Sequence, residues 1–110
     1  MANARSDRIQ GTLDLLILRI LEGESLHGWA IAQRLQSLSR EVLQVGQGSL
    51  YPALHRLADE EWIAAEWGIS EAGRRARFYR LTATGRRQLE RERDSWDTFT
   101  TAVERVLRMA

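Results

Sequence analysis

Residues 48–85 read GSLYPALHRLADEEWIAAEWGISEAGRRARFYRLTATG, and they constrain the fold more than any other part of the chain. Leu50, Leu54, Leu57 and Ala58 recur at helical spacing and form an inward stripe. Ser49 is the expected N-cap, which puts Pro52 in the first turn, where a missing N–H costs nothing. Tyr51, His55 and Asp59 then share an outward strip at i, i+4 and i+8. Trp62, Ile63, Trp67, Phe78 and Tyr79 favour extended backbone and predict strands at about 62–67 and 75–82. Gly68 and Gly73 bracket the turn between those strands, and Arg74, Arg75 and Arg77 stand beside it. Thr82 or Thr84 caps a further helix.

The N-terminal half supplies what such a segment needs in front of it. Residues 1–8 are polar and are expected to be flexible. Leu13, Leu16, Ile17, Ile20 and Leu21 follow i, i+3, i+4, i+7 and i+8, an amphipathic helix with Thr12 as its cap. A second helix begins near His27 and Gly28, with Ile31, Leu35 and Leu38 at helical spacing. Residues 40–47 read as a short β-bridge or loop. Three helices followed by an arginine-bearing hairpin predict a winged helix-turn-helix over residues 9–82. The fold class is mainly α with a small β-hairpin, that is α+β.

Residues 83–110 predict one long terminal helix. About 26 helical residues would span ~39 Å at 1.5 Å per residue. Leu89, Trp96, Phe99, Val103 and Val106, with Leu107 beside them, form a seam of alternating three and four steps, interrupted at Glu92. Such a stripe must be covered, either by the first helix of its own chain or by a second chain. Pairing into a homodimer is the expectation, with the first helix contributing, because the winged unit already accounts for most of the core. A large flat ring at Trp96 could also sandwich a small aromatic effector across the seam, although filling the seam is the commoner use of such a residue.

An arginine-bearing hairpin after a helix-turn-helix points to DNA binding, and the charge distribution sharpens that reading. The net charge is only +1, but eight of the 16 basic residues lie in residues 74–93, against Glu90 and Glu92 alone. All the basic residues are Arg, so the choice of Arg over Lys at any one position says little. The 110 residues contain no cysteine, which excludes disulfides, thiolate metal sites and a Cys nucleophile. The apolar run at residues 13–21 is broken by Asp14 and Arg19, so no membrane partner is expected. The start lacks the apolar core of a signal peptide, and a cytoplasmic location is the expectation.

The binding chemistry then falls on two places. Tyr51 and Ser49 could donate to a phosphate oxygen at the start of the third helix, where the amides and the dipole favour anions. Alternatively, Tyr51 packs on the second helix and Ser49 only caps. Arg74, Arg75 and Arg77 sit on a projecting hairpin that could reach a phosphate backbone or a minor groove, or could simply be a solvated edge that discourages aggregation. Catalysis and cofactors find no support: His27 and His55 are isolated, and the His55/Asp59 pair is too few ligands for a metal.

The chain resembles the PadR family of bacterial transcriptional regulators. The resemblance covers about residues 9–107 and rests on GTLDLLIL (11–18), LHGWAIAQRL (26–35), GQGSLYPALHRL (46–57) and EWGISEAGRRARFYRLTATGRRQL (66–89). It implies a homodimeric winged helix-turn-helix protein, usually a repressor, that binds an inverted-repeat operator in double-stranded DNA. It assigns DNA contact to Ser49, Tyr51, His55 and their helix neighbours, and to Arg74, Arg75 and Arg77. The single terminal helix looks like the family's short type, some members of which stack flat compounds on an aromatic at the Trp96 position. A pocket for cationic compounds does not follow, because Arg93 and Thr100 are the helix neighbours of Trp96. Glu61 stands where the family usually has Gly, at a helix end where a left-handed residue is expected. Two other readings stay open: a winged module that binds protein, and a small-molecule sensor with a Trp-lined dimer pocket.

Overall fold

The structure, a computed structural model, describes residues 4–110, with side chains from residue 11 onward. It is an α+β fold of four helices and one three-stranded antiparallel sheet. The order is α1 (Ala4–Ile20), β1 (Leu26–His27), α2 (Gly28–Leu38), α3 (Gln47–Asp59), β2 (Ile63–Ile69), β3 (Arg75–Leu81) and α4 (Ala83–Leu107).

The first helix starts at Ala4, so Thr12 lies inside it and is not its N-cap. The expected polar start at residues 1–8 thus falls partly within α1, and residues 1–3 lie outside the described residues. Ile17 and Leu18 of α1, Ile31 of α2, Leu54 and Leu57 of α3 and Leu89 of α4 meet in one core with no exposed surface. Leu38, expected on the inward stripe of α2, is exposed instead because α2 ends there.

The sheet order is β1-β3-β2. Two residues suffice for β1: Leu26 pairs with Tyr79 and His27 with Phe78. Such a short strand has no alternation to betray it in sequence. In the hairpin, Ile63 faces Leu81, Ala65 faces Tyr79, Trp67 faces Arg77 and Ile69 faces Arg75. These residues share one face of the sheet. Its base, at Ile63, Tyr79 and Leu81, is buried in the core, and its tip, from Trp67 outward, is exposed.

Two helix ends use left-handed residues that are not glycine. Glu61 has φ +62°. Its N–H donates to Ala58 O at 2.9 Å, and the Trp62 N–H donates to Leu57 O at 3.1 Å. That pair of bonds is the Schellman arrangement, in which the residue after the cap turns left-handed. The same pattern closes α2, where Arg40 (φ +52°) and Glu41 (φ +69°) donate to Ser37 O and Gln36 O. Residues 40–47 therefore hold a helix-closing turn and a loop, and the start of α3, with no β-bridge.

Thr82 caps α4, accepting from the Gly85 N–H at 2.9 Å and donating to Glu61 O and Trp62 O. A Cβ at Gly85 would sit 1.9 Å from the Trp62 carbonyl oxygen, so only glycine lets α4 leave the sheet this closely. The first half of α4 packs on α1, and the second half projects, giving extents of 56 × 31 × 29 Å.

Candidate nucleic-acid interface

Helix α3 begins at Gln47, and its N-cap is Gly46, which makes no side-chain capping bond. Ser49 is the third helical residue, with its backbone N–H bonded to Gly46 O at 3.1 Å, so it is not the cap. Pro52 consequently lies in the second turn, and the N–H it lacks would have reached the Gly48 carbonyl in a regular ladder. Gly48 is exposed, so water can serve that carbonyl.

Tyr51, His55 and Asp59 are all exposed on one strip of α3, as their spacing requires. Leu50, Ala53, Leu54 and Leu57 hold the opposite face in the core. Arg56 fixes the roll of the helix through a 2.6 Å contact from its Nη2 to the Asp14 carboxylate on α1. Burial is the larger influence on Asp14 and raises its carboxyl above the ordinary value of 3.8. The Arg56 hydrogen bond and charge oppose that shift, and Glu92 adds to it.

Tyr51 does two things at once. One edge of its ring rests on the start of α2, where a Cβ at Gly28 would stand 2.9 Å from both its Oη and its Cε1. The rest of the ring is open to solvent. Packing on the second helix and outward presentation, alternatives at the level of sequence, thus coexist in one side chain.

The hairpin tip spans residues 70–74. Ser70 N donates to Arg74 O at 2.8 Å, and Gly73 N donates to Ser70 O at 2.9 Å. Gly73 has φ +77°, which any L side chain would resist. Gly68 belongs to β2 and has a packing role instead, since a Cβ there would stand 2.9 Å from the Phe78 ring. The Arg75 and Arg77 guanidiniums lie 4.4 and 5.7 Å from the Trp67 ring centroid.

These parts converge. Tyr51, Trp29 at the start of α2, and Arg74, Arg75 and Arg77 of the hairpin line one groove of about 640 Å³. Glu71 is the one carboxylate in its lining. His55 lies one turn further along α3, outside that lining. Ser49 is on the other flank of the helix. There it joins Thr12, Leu16, Val45 and Trp96 around a second, apolar pocket of about 380 Å³. Trp29 lines the groove, and Trp67 lies outside the lining but against two of its arginines; neither is marked as a site residue by sequence alone. Trp29 does carry a signal, being a large apolar residue off the Ile31/Leu35 stripe of its helix.

On α4, Leu89 is fully buried in its own chain, so it is unavailable to a second copy, contrary to the seam expected from spacing. The exposed stripe starts at Trp96 and runs through Phe99, Val103, Val106 and Leu107. The Trp96 and Phe99 rings lie 6.2 Å apart, and Arg93 pairs with Glu22 and Glu90. Among the described residues, no group of His, Cys, Asp and Glu could hold a metal ion, and no helix is long and apolar enough to cross a membrane.

A sequence profile of the transcriptional regulator PadR-like family matches residues 17–91. The chain is 38% identical over 79 residues to a transcriptional regulator of Mycobacterium tuberculosis, covering 72% of this chain and 70% of that one. It is 33% identical over 93 residues to an uncharacterized protein of Lysinibacillus sphaericus, covering 84% of each. Among solved structures, a PadR-like transcriptional regulator from Bacillus cereus superposes with a TM-score of 0.80 at 29% identity, over 94% of this chain and 99% of that one.

Proposed function

The chain belongs to the transcriptional regulator PadR-like family, and from that premise we propose that it is a cytoplasmic, homodimeric repressor that binds an inverted-repeat operator. Residues 9–82 form the DNA-binding unit, and residues 83–110 carry the helix, α4, that pairs two copies and ends at Leu107. Tyr51 and His55 enter the major groove on α3, and Arg74, Arg75 and Arg77 hold flanking phosphates. The observation that carries this reading is the single groove shared by Tyr51 and the three hairpin arginines. Two recognition elements from distant parts of the chain converge on one side of the molecule, with cations in the wall. Ser49 drops out of the DNA-binding set on this reading, since it lies on the far flank of α3.

Two copies pair through the exposed half of α4, from Trp96 to Leu107, with α1 beside it. A two-fold axis then sets the half-sites one helical turn, or a multiple of one, apart. The test is protection of an inverted repeat upstream of the chain's own gene by the purified protein. Symmetric protection of both half-sites supports the reading, and protection of one half-site or none removes it.

A small-molecule sensor is the second reading, and the apolar pocket beside Trp96 favours it. That pocket is closed on one side by Ser49 and the loop leading into α3, so a flat, lipophilic occupant would press on the recognition helix. Quenching of Trp96 fluorescence by a planar aromatic compound, together with loss of operator binding, would support release by such an effector. A panel of such compounds without response would leave Trp96 as packing.

A further inference from the structure

We propose that Trp29 is a DNA-contact residue, and that the cleft between the start of α2 and the hairpin seats one sugar–phosphate strand. This rests on the operator-binding reading above and adds to it a residue and a strand path. A helix in a major groove and a hairpin in the neighbouring minor groove are separated by one backbone of the duplex. The space between α3 and the hairpin is therefore where that backbone must run.

The two walls of the cleft suit the two edges of such a strand. Arg74, Arg75 and Arg77 form one wall and offer cations to phosphate oxygens. Trp29, at the start of α2, offers an apolar face suited to deoxyribose, and Tyr51 of α3 lines the same groove. Three arginines against Glu71 alone make the lining complementary to a polyanion.

Trp29 is 66% exposed, although it is among the largest apolar side chains of the chain. One side of it meets the residue that caps its helix. Its ring lies 6.4 Å from that of His27, at 32°. The His27 ring stands edge-on to Phe78 at 5.3 Å, and its Nδ1 accepts the Ala30 N–H at 3.3 Å as the cap of α2. An exposed aromatic with only two side-chain torsions costs little to order on binding and excludes water from the surface it meets.

The test compares the wild-type chain with Trp29→Ala, Trp29→Phe and Arg75→Ala. Dissociation constants are measured over a salt series, on the duplex upstream of the chain's own gene and on a random-sequence duplex of equal length. Trp29→Ala should weaken binding to both duplexes by about tenfold, the loss expected of a central aromatic residue. The slope of log K against log salt should not change, because every arginine–phosphate pair remains. Trp29→Phe should recover most of the affinity, and Arg75→Ala should flatten the slope by about 0.9. Unchanged melting temperatures would exclude misfolding as the cause. If the wild type binds and Trp29→Ala binds within twofold of it, or loses slope as Arg75→Ala does, the inference is overturned while the operator reading stands. If the wild type binds neither duplex, both are overturned.

Discussion

The guanidinium of Arg75 lies 4.4 Å from the centroid of the Trp67 ring, across the two strands of the hairpin. Trp67 is also the cross-strand partner of Arg77, whose guanidinium stands 5.7 Å from the same ring. One exposed aromatic thus steadies both arginines on the face that continues from the core. The absence of lysine from the chain makes each arginine weak evidence of selection for planar chemistry, but a guanidinium over an aromatic ring is a local reason for Arg at position 75.

Replacing Trp67 by Ala should therefore weaken DNA binding without removing a charge. An exposed cation–π contact contributes about 0.5–1 kcal/mol, so the loss should be about two- to fivefold. Arg75→Lys, which keeps the charge and loses the planar stack, should fall by a similar factor. Fluorescence anisotropy on a labelled duplex measures both. Full affinity in either variant would show that the stack does not organise the site.

Gly28 should act through Tyr51. A Cβ at position 28 stands 2.9 Å from the Tyr51 Oη, so Gly28→Ala forces the phenol to move. The variant should lose DNA affinity in the presence of Tyr51 and lose no more in a Tyr51→Ala background. Additive losses in that double-mutant cycle would place the effect of Gly28 elsewhere.

Glu61 carries backbone strain that glycine would relieve. With φ +62° and an exposed side chain, Glu61→Gly should raise stability by about 0.5–1 kcal/mol, reduced somewhat by the greater freedom of an unfolded glycine. Urea denaturation reads this directly. A destabilised Glu61→Gly would mean that the glutamate side chain contributes more than its strain costs.

Asp14 makes stability depend on pH in an unusual direction. Burial outweighs the Arg56 contact and raises its carboxyl, so the folded chain holds this proton more tightly than the unfolded one. Stability from this site is therefore lost as pH rises from about 3.8 through the raised value. Asp14→Asn cannot titrate. The stability difference between variant and wild type should shift in favour of the variant over that window. A difference independent of pH, or one that shifts the other way, would contradict this assignment.

The sequence was legible where periodicity is long and caps are strong. Helices α2, α3 and α4, both strands of the hairpin and a threonine cap at Thr82 or Thr84 all follow from spacing and residue type, and the structure uses Thr82. The start of α1 was not, because Ile9 is the one large apolar residue in 4–10 and Gly11 follows it before the stripe begins at Leu13. Strand β1 was not, because two residues cannot alternate. Ser49 looked like a cap because serine commonly is one, yet an extended glycine one turn earlier can begin a helix without a side-chain bond. Leu89 shares a heptad phase with Trp96, but phase along a helix does not say where its own chain stops covering it. The strip of Tyr51 and His55 could be read in advance. Its convergence with the hairpin could not, since residues 51 and 75 are joined only by the tertiary fold.

The most direct test of the central claim is a salt titration of DNA binding by the wild-type chain and by the Arg74→Ala/Arg75→Ala/Arg77→Ala triple variant. If the hairpin arginines hold phosphates beside α3, log K for the wild type falls linearly with log salt. The slope for the triple variant should then be flatter by about 2.7, from roughly 0.9 for each phosphate no longer neutralised. A wild-type chain that binds no DNA, or a triple variant with an unchanged slope, would contradict it.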